Sequence, residues 1–261
     1  MSGAGNDFVV IDNRRKIFPS PPAKMAVKLC APKTGIGADG VLLLERSRRA
    51  RFRMRIINPD GSEAEMCGNG ARCLARYACL RKIAPSRMVF ETKAGLIGAT
   101  VQGAKVKIRM SEPRDLRALK INLDGAVRDI FFVNTGVPHA VTFVRRIEQL
   151  DVTAWGRMIR NQAAFRPAGT NADFVAVIDD HNIAVRTYER GVEGETLACG
   201  TGSVASALVS ALVKGSLSPV RVHTRGGEIL KIYFKLTGGK FSEVYLEGDV
   251  KYLFDGVWQE L

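Results

Sequence analysis

Hydrophobic and polar residues alternate along much of this chain, and a period of two is typical of strands with one buried face. The plainest example is 51–57, where arginines alternate with Phe52, Met54 and Ile56. Such stretches, together with short apolar runs, predict strands at 8–12, 41–45, 51–57, 88–92, 98–101, 105–110, 130–134, 140–144, 172–179, 182–188, 220–224, 230–234 and 244–247. Longer patterns predict helices at 23–29, 68–81, 153–161 and 202–214. This set of elements predicts a mixed α/β (α+β) fold.

The helix predicted at 202–214 carries no charged side chain between Val204 and Val213. A helix that is apolar on all sides is normally buried, so we expect it to lie inside a curved sheet. The helix predicted at 68–81 carries Arg72 and two further arginines, and we expect it to be less enclosed. The segment 111–119 is expected to cross from one half of the chain to the other.

The pattern Cys-Gly-x-Gly occurs twice, at 67–70 and 199–202, about half the chain apart. Each copy precedes a predicted helix, and each follows a glutamate by four positions, Glu63 or Glu195. This repetition predicts two similar lobes with pseudo-two-fold symmetry, each a curved mixed or antiparallel sheet around a central buried helix. The expected bounds are 1–113 for the lobe with Cys67, completed by 250–261, and 114–249 for the lobe with Cys199.

The chain has 261 residues and a formal net charge of +13. A basic protein can bind nucleic acid, but the densest basic stretch, 46–55, alternates like a solvated strand face. No helix-turn-helix, RNP-like or zinc-finger pattern accompanies it, so no nucleic-acid partner is expected. No apolar run approaches the roughly 18 residues that span a bilayer. We therefore expect no membrane partner and a cytoplasmic location.

The five cysteines are an odd number in a chain of this length, which argues against a disulfide framework. Their spacing matches no zinc motif, so no metal is expected. A cysteine at a helix start is a candidate for a lowered thiol pKa, because the unpaired N–H groups and the helix dipole favour a thiolate. Cys67 and Cys199 both have this position, and His139 and Glu189 are candidates to tune their pKa values further.

Two such thiols suit an amino-acid racemase that works without a cofactor. That chemistry needs a base on one side of the Cα, an acid on the other, and stabilisation of the charge that develops on the carboxylate. Backbone N–H groups at 68–69 and 200–201 can hold the carboxylate. The glycines there let a substrate approach the backbone closely.

The chain resembles the diaminopimelate epimerases. The matching segments are 5–8, 35–40, 58–62, 67–73, 138–139, 171–174, 188–191 and 195–202. The resemblance implies that Cys67 and Cys199 are the acid–base pair, that no cofactor is needed, and that the chain forms a homodimer. It implies that the reacting carboxylate is bound by Gly68, Asn69, Gly200 and Thr201, and the rest of the substrate by Asn6, Asn58, Asn171, Glu189 and Arg190.

The expected function is therefore epimerisation of L,L-diaminopimelate to the meso form, a step in lysine and peptidoglycan precursor synthesis. One departure from the family pattern is Val137, where an asparagine is common before the Pro-His pair. A proline or hydroxyproline racemase on the same fold is an alternative, although its substrate has no distal amino-acid group for Arg190 to bind. A basic nucleic-acid-binding protein is a second alternative, which would explain the charge but not the repeated pattern.

Overall fold

The computed structural model describes residues 1–123 and 125–259. Contacts between Cα atoms divide the chain into two compact units. The first comprises Met1–Ile108 and Asp249–Leu261, and the second comprises Arg109–Gly248. Among the described residues, no helix combines the length and apolar character needed to cross a membrane.

The first unit contains a mixed sheet and two helices, α1 (Pro22–Cys30) and α2 (Gly68–Leu80). Its strands are β1 (Ser2–Gly3), β2 (Asn6–Asp7), β3 (Val9–Asp12), β4 (Val41–Glu45), β5 (Arg53–Ile57), β6 (Glu63–Ala64), β7 (Arg87–Thr92), β8 (Gly95–Gln102) and β9 (Lys105–Arg109). The sheet order is β3-β4-β5-β7-β8-β9, and the short β6 pairs with β5 beside it. The β3–β4 and β5–β7 pairs are parallel, and the other pairs along this order are antiparallel.

The second unit also combines a mixed sheet with two helices, α3 (Val152–Arg160) and α4 (Gly200–Lys214). Its strands are β10 (Arg114–Leu123), β11 (Ala126–Asn134), β12 (Pro138–Phe143), β13 (Asn171–Asp179), β14 (Asn182–Glu189), β15 (Gly194–Thr196), β16 (Val220–Thr224), β17 (Ile229–Thr237) and β18 (Lys240–Asp249). The order is β10-β11-β12-β13-β14-β16-β17-β18, with β15 beside β14. The β12–β13 and β14–β16 pairs are parallel.

The central strands are buried on both faces, because a helix covers each face. In β13, Ala172 and Phe174 belong to the core cluster that includes α3. Asp173, between them, points to the other face, where a Cβ atom added to Gly202 of α4 would collide with its carboxylate. The absence of a side chain at Gly202 therefore lets the start of α4 approach β13 closely.

The first unit repeats this arrangement around β4. Val41 and Leu43 pack in one cluster with α1. Leu42 faces the other way, and a Cβ atom added to Gly70 of α2 would lie 3.0 Å from its side chain. In both units the helix that follows a cysteine lies across the sheet from a second, shorter helix.

The predicted mixed α/β class is confirmed, and the four predicted helices are present within two residues of their expected bounds. The burial predicted for α4 is confirmed from Gly202 to Ala211, where every residue is buried, but was wrong at Leu212 and Val213, which are exposed in its last turn. The prediction that α2 is less enclosed was wrong at Arg72, which is completely buried. Its guanidinium is accommodated because it donates to Gly68 O and Asn69 Oδ1.

The crossing segment predicted at 111–119 was also wrong in part, because residues from Arg114 onward form β10. This strand lies at the edge of the second sheet and pairs only with β11 among the described strands. Charged side chains on an edge strand are exposed to solvent and discourage further strand pairing. The first half of β10 is therefore exposed and lacks alternation, whereas Leu119, Ile121 and Leu123 in its second half alternate with polar residues and pack against the core.

Candidate active site

Cys67 lies in the turn between β6 and α2, and it is the N-cap residue of α2. Its backbone is extended, and its half-buried sulfur accepts a hydrogen bond from Gly70 N at 3.5 Å. A residue in this position faces the unpaired N–H groups and the positive end of the helix dipole. The predicted placement of Cys67 at a helix start is confirmed.

A chain of hydrogen bonds runs through the start of α2. Arg72 Nη2 donates to Asn69 Oδ1 at 2.9 Å, and Asn69 Nδ2 donates to Asn6 Oδ1 at 2.8 Å. Asn6 Nδ2 in turn donates to Asp39 Oδ2 at 2.9 Å. The chain brings together two residues predicted for the site, Asn6 and Asn69, and orients both side-chain amides.

Asn58 occupies the turn between β5 and β6, five positions before Glu63 along the chain. Its Nδ2 donates to Ser62 Oγ at 2.9 Å, and its backbone N donates to Ser62 O at 2.8 Å. These contacts close the turn that leads into the cysteine segment.

Cys199 is the N-cap residue of α4 and is buried, with 8% of its surface exposed. Burial is the main cause that raises the pKa of this thiol well above its ordinary value, and the carboxylates of Glu189 and Asp173 raise it further. Hydrogen bonds that Thr201 and the backbone of Gly202 can donate to the thiolate form lower the pKa of Cys199 but do not offset this. The expectation that a helix start lowers the thiol pKa was therefore wrong for Cys199, because burial and the two carboxylates outweigh the effect of the helix start.

Four side chains of the second unit form a hydrogen-bonded series that ends on Cys199. Asp173 Oδ2 lies 2.7 Å from His139 Nδ1, His139 Nε2 lies 2.9 Å from Thr201 Oγ1, and Thr201 Oγ1 lies 3.4 Å from Cys199 Sγ. Asp173 also accepts from Thr187 Oγ1 at 2.7 Å. Both Asp173 and His139 are completely buried.

The Asp173 carboxylate determines which atom donates in each hydrogen bond of this series. A carboxylate can only accept, so the contact with Asp173 requires a hydrogen on His139 Nδ1, and in that tautomer Nε2 accepts from the Thr201 hydroxyl. The Thr201 oxygen then accepts from the Cys199 thiol. If Cys199 loses its proton, the same series can reverse, with an imidazolium at His139 donating toward the thiolate through Thr201.

Asn171 and Arg190 are held together at one end of β13. Asn171 Nδ2 donates to Pro138 O at 3.0 Å, and Asn171 Oδ1 accepts from Arg190 N at 2.8 Å. Arg190 Nη1 donates to Ala168 O at 3.0 Å. Glu189 precedes Arg190 at the end of β14, where its charge acts on Cys199.

Three residues of these networks, Asp39, Arg72 and Asp173, were not predicted as site residues. All three lie inside segments that carry the family resemblance, so their presence in those segments was the available signal. Their burial and their partners depend on which strands pair, which the sequence pattern does not specify. Among the described residues, no group of histidine, cysteine, aspartate and glutamate side chains is arranged to hold a metal ion.

The fold is shared with a group of isomerases and related biosynthetic proteins. A PhzF-family phenazine biosynthesis protein from Bacillus anthracis matches with a TM-score of 0.71 and 15% identity, over 95% of this chain and 92% of that one. A probable proline racemase from Agrobacterium radiobacter K84 matches with a TM-score of 0.67 and 16% identity, over 97% and 92% of the two chains. At 15–16% sequence identity, the structural similarity defines the fold of this chain but not its function.

The sequence narrows this class to one family. The diaminopimelate epimerase family model matches residues 1–115 and 131–253. A diaminopimelate epimerase from Aquifex aeolicus is 44% identical over 269 residues, which cover 98% of this chain and 95% of that protein. One from Chlorobaculum tepidum is 43% identical over 260 residues, covering 98% of each. The chain belongs to the diaminopimelate epimerase family.

Proposed function

We propose that this protein inverts one stereocentre of diaminopimelate, converting the L,L form to the meso form, in lysine and peptidoglycan precursor synthesis. The observation that carries the proposal is a Cys-Gly-x-Gly turn at the start of a buried helix in each unit of a chain from this family. Cys67 and Cys199 act as a two-base pair, one as thiolate and the other as thiol, on opposite faces of one Cα. The reaction needs no cofactor.

The charges around Cys199 support its role as the acid when L,L-diaminopimelate is consumed. Burial and two nearby carboxylates keep its proton in place, so Cys67 is the residue that removes the α-hydrogen. In the reverse direction Cys199 is the base, and its proton can pass through Thr201 to His139, where Asp173 compensates the imidazolium charge. Glu189 therefore raises the pKa of the Cys199 thiol, whereas His139 favours loss of the same proton by accepting it through Thr201.

The backbone N–H groups at the starts of α2 and α4 are the proposed site for the reacting carboxylate. The first N–H groups of a helix have no partner within the helix, and they attract negative charge. Those of Gly68, Asn69, Gly200 and Thr201 stabilise the enolate-like form in which the charge moves onto the carboxylate oxygens. This stabilisation is required because the Cα–H bond is a very weak acid.

The distal amino-acid group of diaminopimelate distinguishes it from smaller substrates. Its carboxylate matches the planar fork of Arg190, and its ammonium matches the carboxylate of Glu189. The amides of Asn6, Asn58 and Asn171 supply donors and acceptors for the same group. Since Asn6 and Asn171 already make hydrogen bonds in the protein, their amides are oriented before the substrate binds.

The test is incubation of the purified protein with L,L-diaminopimelate, without added pyridoxal phosphate, followed by chiral chromatography. We expect the meso isomer to form, and we expect L-proline to be left unchanged, because it has no distal group. Absence of meso product, or racemisation of L-proline at a similar rate, contradicts the proposal. The homodimer, the cytoplasmic location and the absence of a nucleic-acid partner stay predictions.

A further inference from the structure

An ion pair joins β5 to β6 just before Cys67. Arg55 Nε donates to Glu63 Oε1 at 3.0 Å, and Arg55 Nη2 donates to Glu63 Oε2 at 2.9 Å. Glu63 lies opposite Ile57 in the strand pairing, so Arg55 is two positions before the residue that Glu63 faces. Both side chains are three-quarters buried, with 24% of each exposed.

The second unit has the same ion pair in the same register. Arg186 Nε donates to Glu195 Oε1 at 2.6 Å, and Arg186 Nη2 donates to Glu195 Oε2 at 2.7 Å. Glu195 lies opposite Tyr188, so Arg186 is again two positions before the facing residue. In each unit the glutamate stands four residues before the cysteine of the repeated pattern.

The repeated geometry is not a simple result of a repeated local sequence. The connection from Ile57 to Glu63 is one residue shorter than the connection from Tyr188 to Glu195, yet the diagonal pairing is the same. Apart from the arginine, the strand residues differ, since Ile56 corresponds to Thr187. What the two units share is a bidentate guanidinium–carboxylate contact that leads directly into a cysteine turn.

Each arginine is also held by a further contact of its Nη1 atom, outside the bidentate pair with glutamate. Arg186 Nη1 donates to Ile147 O at 2.7 Å and to Leu150 O at 3.0 Å, and only 10% of its side chain is exposed. Arg55 Nη1 lies 3.4 Å from Glu45 Oε1. A bidentate contact fixes both the distance and the plane of the carboxylate. A guanidinium held in this way therefore limits the movement of the glutamate and of the short strand that carries it.

We infer that Arg55–Glu63 and Arg186–Glu195, here called the paired clamps, are positioning residues for the two thiols. Each clamp holds the short strand β6 or β15, and through it the turn that places Cys67 or Cys199 at its helix start. Proton transfer depends steeply on the distance and angle between donor and acceptor. The expected effect of the paired clamps on kcat rests on the proposed function. Their expected effect on the position of each thiol does not.

The test uses Glu63→Gln and Glu195→Gln, which keep the shape of the side chain but remove the charge and one acceptor oxygen. We expect each variant to lower kcat by about tenfold to a hundredfold with little change in KM, because a misplaced thiol affects the chemical step. Alkylation by iodoacetamide, measured peptide by peptide by mass spectrometry, should change at Cys67 in the first variant and at Cys199 in the second. Glu195→Asp keeps the charge and should recover part of the kcat.

Glu243→Gln is the matched control, because Glu243 pairs with Lys235 at 2.6 Å on an exposed part of β17 and β18. It should leave kcat and both alkylation rates unchanged. The inference is overturned if Glu63→Gln and Glu195→Gln leave kcat and their own thiol unaffected. It is also overturned if either variant alters both thiols equally together with a lower Tm, since that pattern reports general destabilisation.

The two proposals fail in different ways. If the wild-type protein does not epimerise diaminopimelate but each glutamine variant alters only its own thiol, the paired clamps stand and the proposed function does not. If epimerisation is found but the variants show wild-type kcat and wild-type alkylation, the proposed function stands and the paired clamps do not.

Discussion

Replacement of Cys67 or Cys199 by alanine is expected to lower epimerase activity at least a thousandfold in each case. A positioned acid or base contributes about 10²–10⁴-fold to a rate, and in a two-base reaction the loss of either group stops the inversion. Both variants should fold, because Cys67 is half-buried and alanine leaves only a small space at Cys199. The measurement is the rate of meso product formation, with Tm recorded in parallel.

Cys79→Ala is the matched control, since Cys79 is a half-buried thiol of α2 outside the proposed site. It should keep wild-type activity. Serine at 67 or 199 should cause nearly the same loss as alanine, because a hydroxyl is a much weaker acid than a thiol and supplies no comparable base. Turnover close to wild type by either alanine variant is incompatible with a two-base mechanism.

Asp173→Asn is expected to lower kcat/KM by about a hundredfold, within the range for a positioned acid–base group. The change keeps the size of the side chain but removes the charge that compensates an imidazolium at His139. The asparagine amide can also donate to Nδ1, which reverses the donors along the series that ends on Cys199. Because kcat/KM in the two directions is linked through an unchanged equilibrium constant, both directions should fall by the same factor.

Thr187→Val separates this effect from loss of stability. Thr187 donates to Asp173 Oδ1 at 2.7 Å and does not belong to the series through His139. We expect both variants to lower the free energy of unfolding by about 1–3 kcal/mol, while only Asp173→Asn removes most of the activity. Equal losses of activity in the two variants would show that Asp173 acts only by stabilising the fold.

The same carboxylate can be disturbed from α4. Gly202→Ala places a Cβ against Asp173 Oδ1, and it should lower both activity and Tm. Gly194→Ala is its control, because a Cβ added there lies within 4 Å of no atom in the described part of the chain.

Much of the fold follows from short-range pattern. Period-two alternation located most central strands, and the lack of charge from Val204 onward predicted the burial of α4 as far as Ala211. The repeated cysteine pattern predicted that both thiols begin helices, since Gly-rich turns after a strand commonly lead into a helix start. These features depend on residues that are neighbours in sequence.

The electrostatics of the site depend on residues that are distant in sequence. The pKa of Cys199 is raised mainly because the fold buries the thiol, and further because β14 and β13 bring Glu189 and Asp173 near it, whereas the helix start alone indicated the opposite direction. Even close in sequence, the hydrogen bonds that the buried Arg72 guanidinium donates to Asn69 Oδ1 and Gly68 O are not revealed by a count of charges on α2. The glutamates four residues before each cysteine were visible, but their arginine partners follow only from strand register.

The most direct test of the two-base claim is the distribution of solvent label. The protein, equilibrated in heavy water, is given L,L-diaminopimelate, and product and remaining substrate are examined early by NMR and mass spectrometry. We expect one deuterium in the meso product, at the inverted carbon, and none in the remaining substrate or at the distal stereocentre. Meso product that keeps its original α-hydrogen, or substrate that gains label as fast as product forms, would contradict the account.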